Sequence, residues 1–418
     1  MSRLSDDGGD TSDAGDAGDA GDAGQAAAVA PVAPSDRIDL PALATSIKAW
    51  GRELGFADLA ISGVDLGEAE QRLMAWLAAG HQGEMDYMAR HGVTRARPAE
   101  LVPGTLRVIS ARMDYLREPE RFVAAGWERL QDARRPAIAA YARGRDYHKV
   151  LRQRLQRLAE RIAAAVGPFG HRVFTDSAPV LEVELARQAG LGWRGKHTLL
   201  LNRAAGSTFF LGELFVDLPL PVDAPGTDHC GSCAACIAAC PTGAIVAPYQ
   251  LDARRCIAYL TIELPGSIPV ALRPLIGNRV FGCDDCQLAC PWNKFAQCSP
   301  AADFDSRGLE ALDLLTLFGW DEQEFLRRAE GSAIRRIGHV RWLRNLAVGL
   351  GNALRGSVDA ELRAALRAGL LTRLAHPAEL VREHVAWALN QEAGLPPGPG
   401  GAAESGAHRP GQAVVDQG

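Results

Sequence analysis

The first 229 residues of this 418-residue chain contain no cysteine. That absence excludes the disulfide framework spread over a small secreted domain. No apolar run approaches the roughly 20 residues needed to span a bilayer, and the N-terminus lacks the basic-then-apolar order of a secretory signal. A twin-arginine pair is missing there too; Arg-Arg pairs lie deep in the chain, as at Arg335-Arg336. A cytoplasmic protein without a membrane anchor is expected, and nothing demands more than a monomer. An excess of acid is also lacking outside the N-terminus. The net charge is −5, but residues 1–36 hold eight Asp against one Arg, which leaves +2 for the rest.

With 47% hydrophobic residues, the chain can build two or three cores. Residues 1–36, with their Asp-Ala-Gly repeat, and the Pro/Gly/Ala-rich residues 394–418 read as disordered tails. From 37 to 216 helical and strand patterns alternate. Helices are expected at 38–54, 148–166 and 180–189, and strands at 107–111, 137–141, 172–175, 198–201 and 207–215. Residues 217–231 contain three Pro and two Gly and read as a linker. After a cysteine module, residues 305–393 read as five helices of the stacked, HEAT-like kind. The expected fold is therefore α+β and multidomain: an α/β domain (37–216), a linker with a ferredoxin-like module (217–304) and a helical-repeat domain (305–393).

Eight of the nine cysteines fall within residues 230–290. Cys230-x2-Cys233-x2-Cys236-x3-Cys240-Pro241 is the run of bacterial two-cluster ferredoxins, in which the fourth Cys ligates the other cluster. Cys256-x26-Cys283-x2-Cys286-x3-Cys290-Pro291 repeats the ending. The crossing rule assigns Cys230, Cys233, Cys236 and Cys290 to one 4Fe–4S cluster, and Cys240, Cys256, Cys283 and Cys286 to a second. Structural zinc also uses CxxC pairs, but two such endings before Pro favour clusters. Cys298 is a spare thiol.

Two near-matches fail. Gly190-x4-Gly195-Lys196 imitates a phosphate loop, but His197 stands where Ser or Thr must hold Mg²⁺, and a helix precedes it rather than a strand. Asp146-x-His148-x-x-Leu151 imitates a cobalt-ligating box but has Leu151 in place of Gly. His148 is expected to be a structural or pocket residue. Asp176 follows a predicted strand and precedes Ser-Ala-Pro, a place that suits either a helix N-cap or a general acid whose pKa burial raises.

Taken whole, these segments resemble epoxyqueuosine reductases: Arg-Gly-Arg-Asp-Tyr-His-Lys (143–149), Phe-Thr-Asp-Ser-Ala-Pro-Val-Leu-Glu (174–182), Ala-Gly-Leu-Gly-Trp-Arg-Gly-Lys-His-Thr (189–198), Gly-Cys-Asp-Asp-Cys-Gln-Leu-Ala-Cys-Pro-Trp-Asn (282–293) and Ile-Arg-Arg-Ile-Gly (334–338). The resemblance runs from about residue 38 to 392. It implies base-off cobalamin facing one cluster, reduction of epoxyqueuosine to queuosine in the tRNA anticodon loop, and Asp176 as proton donor. A corrin needs apolar walls and a few polar anchors. The resemblance suggests Leu200, Leu211 and Leu214 for the wall, Arg95, Trp193, Lys196 and Thr198 as anchors, and Gln250, Ala258 and Asp284 at the contact between cobalamin and cluster. Val183 departs from the basic residue expected there. Arg335, Arg336, Arg341 and Arg344, with few acids around them in sequence, are expected to grip tRNA phosphates, and Trp342 to pack in the core. The electron donor is a partner the sequence does not identify. Two rival readings stand beside it: a corrinoid iron–sulfur enzyme like the reductive dehalogenases, which shares the two clusters and cobalamin but predicts an export signal and no RNA-grip domain, and an electron-transfer activator of a corrinoid protein, which predicts no bound cobalamin and no need for Asp176.

Overall fold

The computed structural model describes residues 38–391; the expectations for both tails lie outside the described residues. The central strand of the main sheet is β7 (Phe209–Val216), buried along its whole length. β2 (Arg107–Asp114) pairs with it on one side and β4 (His171–Phe174) on the other, and β1 (Asp58–Ser62) adds to β2. Every pairing in this sheet is antiparallel. The alternation of helix and strand in the sequence suggested an α/β unit; the layers are present, but the antiparallel sheet makes the region α+β.

Helices cover both faces. Tyr147–Val166 buries Leu151, Leu155, Leu158 and Ile162, a stripe at helical spacing. It approaches β7 so closely that a Cβ on Gly212 would lie 2.9 Å from the Leu155 side chain. The short Glu182–Gln188 helix covers the opposite face, where Leu185 packs with Val108 and Phe215.

The remaining strands are short. β3 (Ala137–Ile138) runs parallel to β10 (Arg279–Phe281), β5 (Trp193–Arg194) pairs with β6 (Leu200–Leu201), and β8 (Ile245–Ala247) pairs with β9 (Gln250–Leu251). The β3–β10 pair joins the first region to the cysteine module. The Asn278 side-chain amide reinforces it, donating to the carbonyls of Arg129, Asp132 and Arg135.

The C-terminal region is helical, as expected, but its helices have 6, 7, 19, 12 and 12 residues and show no clear repeat. The long Gly338–Gly356 helix is the axis about which the others pack. Its core is continuous with Ile138, Ile262, Val280 and Phe281 from the preceding regions. Among the described residues, no helix is long and apolar enough to cross a membrane.

Candidate active site

The two cysteine runs fold back on each other. Cys230, Cys233 and Cys236 from the first and Cys290 from the second line one pocket, together with Lys196, His197, Leu201, Pro291 and Trp292. Lys196 Nζ donates to the carbonyls of Gly231 (2.6 Å) and Cys233 (2.8 Å), so its ammonium pins the cysteine loop. Cys240, Cys256, Cys283 and Cys286 are each half-buried. Burial pushes the Cys286 thiol well above its usual range, and the neighbouring Cys256, Asp284, Cys236 and Cys240 add to the shift. All nine cysteines are free of disulfides. Among the described residues, no three His, Cys, Asp or Glu come together on a single ion.

The second group surrounds Asp176. Its φ of +30° lies in the left-handed region that L side chains avoid, and its side chain is 47% exposed. The helix that follows begins at Glu182 with Leu181 before it, so Asp176 does not cap that helix. Tyr147 donates its hydroxyl to Asp176 Oδ2. His148 lies between two carboxylates, with Nδ1 2.7 Å from Asp146 Oδ1 and Nε2 3.3 Å from Asp176 Oδ2. Asp146 also caps the helix that carries both residues, accepting from the His148 amide. The Tyr147 ring is clamped parallel to Phe210, with centroids 4.1 Å apart.

These bonds decide where the proton sits. Burial disfavours a charged His148, but hydrogen bonds to Asp146 and Asp176 outweigh it and raise its pKa to about 9. Burial would also raise the pKa of Asp176, yet donation from His148 and Tyr147, with the charges of His148 and Arg336, brings it below the usual carboxylate range. The expectation that burial lifts Asp176 towards neutrality is thus corrected. The pair holds one proton at neutral pH, and His148 carries it. Arg336 is the nearest of the expected phosphate grips to this site: it pairs with Glu263 at 2.9 Å and its charge bears on Asp176.

The remaining predicted residues scatter. Arg95 is 7% exposed and donates to the carbonyls of Tyr87 (2.9 Å) and Ala178 (3.3 Å), bracing the Asp176 loop. Asp284 accepts from the Ala140 amide at 2.8 Å. Gln250 is exposed on β9, and Ala258 is half-buried just before Tyr259. Thr198 has a left-handed φ of +74° in the turn between β5 and β6. Leu200 and Leu211 share one cluster with Ala186. Leu214 lies an odd number of positions beyond Leu211, on the face of β7 that meets the Tyr147–Val166 helix. The three leucines therefore do not form one wall.

Two of the four predicted phosphate contacts are also corrected. Arg344 is fully buried and donates to the carbonyls of Leu260, Leu264 and Gly266. Arg341 donates to the carbonyls of Ile337, Ile262 and Arg336. In place of acids, the partners are main-chain carbonyls: all three for Arg344 and one for Arg341 come from residues 260–266, and the other two for Arg341 from its own turn. Arg335 and Arg336 are exposed, and Trp342 is core.

Comparison with known proteins agrees with this arrangement. Residues 229–293 match a 4Fe-4S double cluster binding domain, and residues 95–177 match the family "Epoxyqueuosine reductase QueG, DUF1730". An epoxyqueuosine reductase of Alicycliphilus denitrificans is 64% identical over 352 residues, covering 84% of this chain and 98% of the relative. One from Escherichia coli K12 is 55% identical, covering 86% of this chain and 92% of the relative. The chain belongs to the epoxyqueuosine reductase family. Among solved epoxyqueuosine reductases, that of Bacillus subtilis superposes with a TM-score of 0.72 at 26% identity, covering 84% of this chain and 90% of the other.

The residues present fit the cofactors that membership in the epoxyqueuosine reductase family implies. The cavity lined by four free thiols suits a cluster. Arg95 Nε, Thr175 Oγ1, beside Asp176, and Trp193 Nε1 are buried without a partner, as polar atoms are where a ligand fringed with amides completes the site. Sequence reasoning gave no role to Tyr147 and missed Glu263 and Glu213. Tyr147 lies inside a motif already singled out, whereas Glu263 and Glu213 carry no local signal.

Proposed function

We propose that this protein reduces epoxyqueuosine to queuosine in the anticodon loop of tRNA, using base-off cobalamin and two 4Fe–4S clusters. The observation that carries the reading is an exposed, strained carboxylate held by Tyr147 and His148 in a chain 64% identical to an epoxyqueuosine reductase along nearly its full length. A related structure is described as an epoxyqueuosine reductase with a tRNA-Tyr epoxyqueuosine-modified stem loop, and we extend that partner to this chain. The relatives weigh against a dehalogenase, and the Asp176 site against a mere electron-transfer activator.

In this reading one cluster takes Cys230, Cys233, Cys236 and Cys290, and the other takes Cys240, Cys256, Cys283 and Cys286. Residues 37–216 form the catalytic domain, 217–304 the cluster domain and 305–393 the RNA-binding domain. Arg95, Trp193, Lys196, Thr198, Leu200, Leu211, Gln250, Ala258 and Asp284 border the cobalamin. That cofactor supplies a strongly reducing cobalt centre fed by the clusters. The protein supplies the proton: Asp176 faces the epoxide oxygen and passes it the proton that His148 holds, while Tyr147 fixes the carboxylate. Arg335 and Arg336 hold phosphates as the base enters the cleft.

The test is anaerobic. Reconstituted protein, cobalamin and a chemical reductant are incubated with tRNA carrying epoxyqueuosine, and the digested nucleosides are weighed. Loss of one oxygen, abolished in Asp176→Asn, is the expected result. An unchanged mass with clusters and cobalamin intact overturns the reading.

A further inference from the structure

Electrons must enter the chain from outside, and the cysteines are unequally placed to receive them. Of the eight assigned to the clusters, Cys233 alone is exposed; the others are half-buried or buried. The second set of ligands adjoins Asp284, which is bonded to the stretch of chain that leads to the Asp176 group. The first set, with Cys233 at the surface, is therefore the side at which electrons arrive. Residues 231–234 of its loop are exposed, and so is His229 just before it.

The surface beside that loop is aromatic and basic. Trp292 lines the pocket of Cys230, Cys233, Cys236 and Cys290, and its ring centroid lies 5.8 Å from those of His229 and Phe295. Phe295 is 40% exposed, and Lys294 Nζ sits 4.9 Å from the centre of its ring. The turn that carries Arg203 is tied to the same segment: Gln297 donates to the Ala204 carbonyl at 2.7 Å, and Asn293 Oδ1 accepts the Ser207 amide at 2.7 Å. Both Arg203 and Lys294 are exposed. The segments from which this face is drawn, 190–207, 229–251 and 286–302, contain four Lys or Arg and no Asp or Glu. Acids that border them in the chain are already engaged. Asp228 accepts from the Tyr249 hydroxyl and the Cys230 amide, Asp252 pairs with Arg254, and Asp285 pairs with Arg279.

An exposed apolar ring within a basic rim fits a protein of the opposite charge, and a 4Fe–4S cluster takes one electron at a time. We propose that Arg203, Lys294 and Phe295, beside the exposed Cys233, form the docking face of a small acidic one-electron carrier protein. The inference rests on the reading that this chain holds two clusters and reduces an epoxide. Each encounter moves one electron: a flavin hydroquinone on the carrier becomes a semiquinone, and the cluster is reduced. Two encounters supply the two electrons that, with two protons, release the epoxide oxygen as water. The competing occupant of a basic face is tRNA, but Asp176, which the anticodon base must reach, is joined to the other set of ligands.

Flavodoxin, an acidic carrier, is the probe, used with anaerobic full-length protein carrying both clusters. Two readouts are independent of turnover: the affinity of oxidised flavodoxin, and the stopped-flow rate at which flavodoxin hydroquinone bleaches the cluster absorbance. At low salt, Lys294→Glu and Arg203→Glu should each slow that second-order rate about tenfold, the lower end of electrostatic steering, and the difference should fade at high salt. Phe295→Ser should weaken binding and leave its salt dependence unchanged. Cluster reduction by photoreduced deazaflavin, which needs no docking face, and binding of a tRNA stem-loop should stay at the wild-type level in all three variants. Wild-type rates in both charge variants overturn the proposal, as does flavodoxin that neither binds nor reduces the wild-type protein. A loss of stem-loop affinity with flavodoxin reduction unchanged also overturns it and gives the face to RNA. If flavodoxin reduces the clusters with the expected dependence but epoxyqueuosine keeps its oxygen, the docking face stands and the functional reading fails.

Discussion

Arg344→Met separates a structural arginine from an RNA-binding one. In sequence Arg344 belongs to the basic run that begins at Arg335. In the fold its guanidinium is fully buried and caps the carbonyls of Leu260 at 2.8 Å and of Leu264 and Gly266 at 2.7 Å. These close the segment that includes Tyr259–Glu263 against the Gly338–Gly356 helix. Burial, with repulsion from Arg341 and Arg273, lowers its pKa to about 9, so it stays charged at neutral pH. Methionine fills most of the volume and supplies no donor. Each stranded carbonyl costs about 1–3 kcal/mol. Relief of the guanidinium's own desolvation offsets part of that total, which leaves a net loss of about 3 kcal/mol. At roughly 2 °C per kcal/mol for a large domain, the melting temperature should fall by about 6 °C.

The assay pairs thermal unfolding of the anaerobic, cluster-loaded protein with titration of a tRNA stem-loop over a range of salt. Arg344→Met should melt early and bind with the wild-type salt slope. Arg335→Ala, at an exposed position, should melt normally and lose about 0.7–0.9 of a unit in that slope. An Arg344→Met protein as stable as wild type but with a reduced slope would refute the reasoning.

Arg336→Ala breaks the pair with Glu263 and removes a cation that bears on Asp176; tRNA should bind more weakly with a shallower salt slope, and the acid limb of the pH–rate profile should move to higher pH. A profile that does not move separates Arg336 from the site. His148, at about 9, lies above the roughly 6.5 of an unfolded histidine. Its contribution to stability is therefore complete below about 6.5 and disappears as pH rises through 9. Activity should fall over the upper part of the same window, and Asp146→Asn, which removes one of its two carboxylate partners, should bring that fall to lower pH. A fall that stays in place would assign the titration to another group. Cys230→Ser should lose about half of the iron, and adding Cys290→Ser should cost no more, whereas adding Cys283→Ser should remove the rest. Equal iron content in the two double variants would refute the division of ligands.

What the sequence disclosed and what it concealed divide along one physical line. The cysteine runs were legible because cluster ligands sit two or three residues apart on a tight loop, so spacing itself is the signal. The Tyr147–Val166 helix was legible because its buried stripe repeats at helical spacing. The alternation of helix and strand suggested an α/β unit because direction of pairing leaves no mark in a short strand; the antiparallel return of β2 and β4 to β7 appears only in the register. Arg341 and Arg344 were misread for the same reason. The three carbonyls that hold Arg344, and one of those that hold Arg341, lie some 80 positions earlier in the chain, and a count of neighbouring acids cannot register a carbonyl. The pKa of Asp176 was misjudged because the two donors that hold it down, Tyr147 and His148, come from the start of the Tyr147–Val166 helix and leave no mark near Asp176 in the sequence.

The same distinction bears on how the two halves of the chemistry are joined. Asp284 follows Cys283 and precedes Cys286 by two positions, and its carboxylate accepts the Ala140 amide. Ala140 lies just beyond β3, which pairs in parallel with β10, and only a few residues before the Asp146–Tyr147–His148 group. One stretch of chain, 137–148, is thus bonded at one end to the cysteine module and at the other to the carboxylate of Asp176. A shift of the cysteine loop would reach Tyr147 and His148 through main-chain hydrogen bonds and a short span of packed residues, without a flexible linker between them. Rigid coupling of this kind suits a reaction in which electrons delivered from one side must meet a proton delivered from the other, because productive geometry fails with displacements of about 1 Å. It also accounts for a strained φ at Asp176: the backbone there is held by its surroundings, and the side chain is aimed at the cost of local conformational energy.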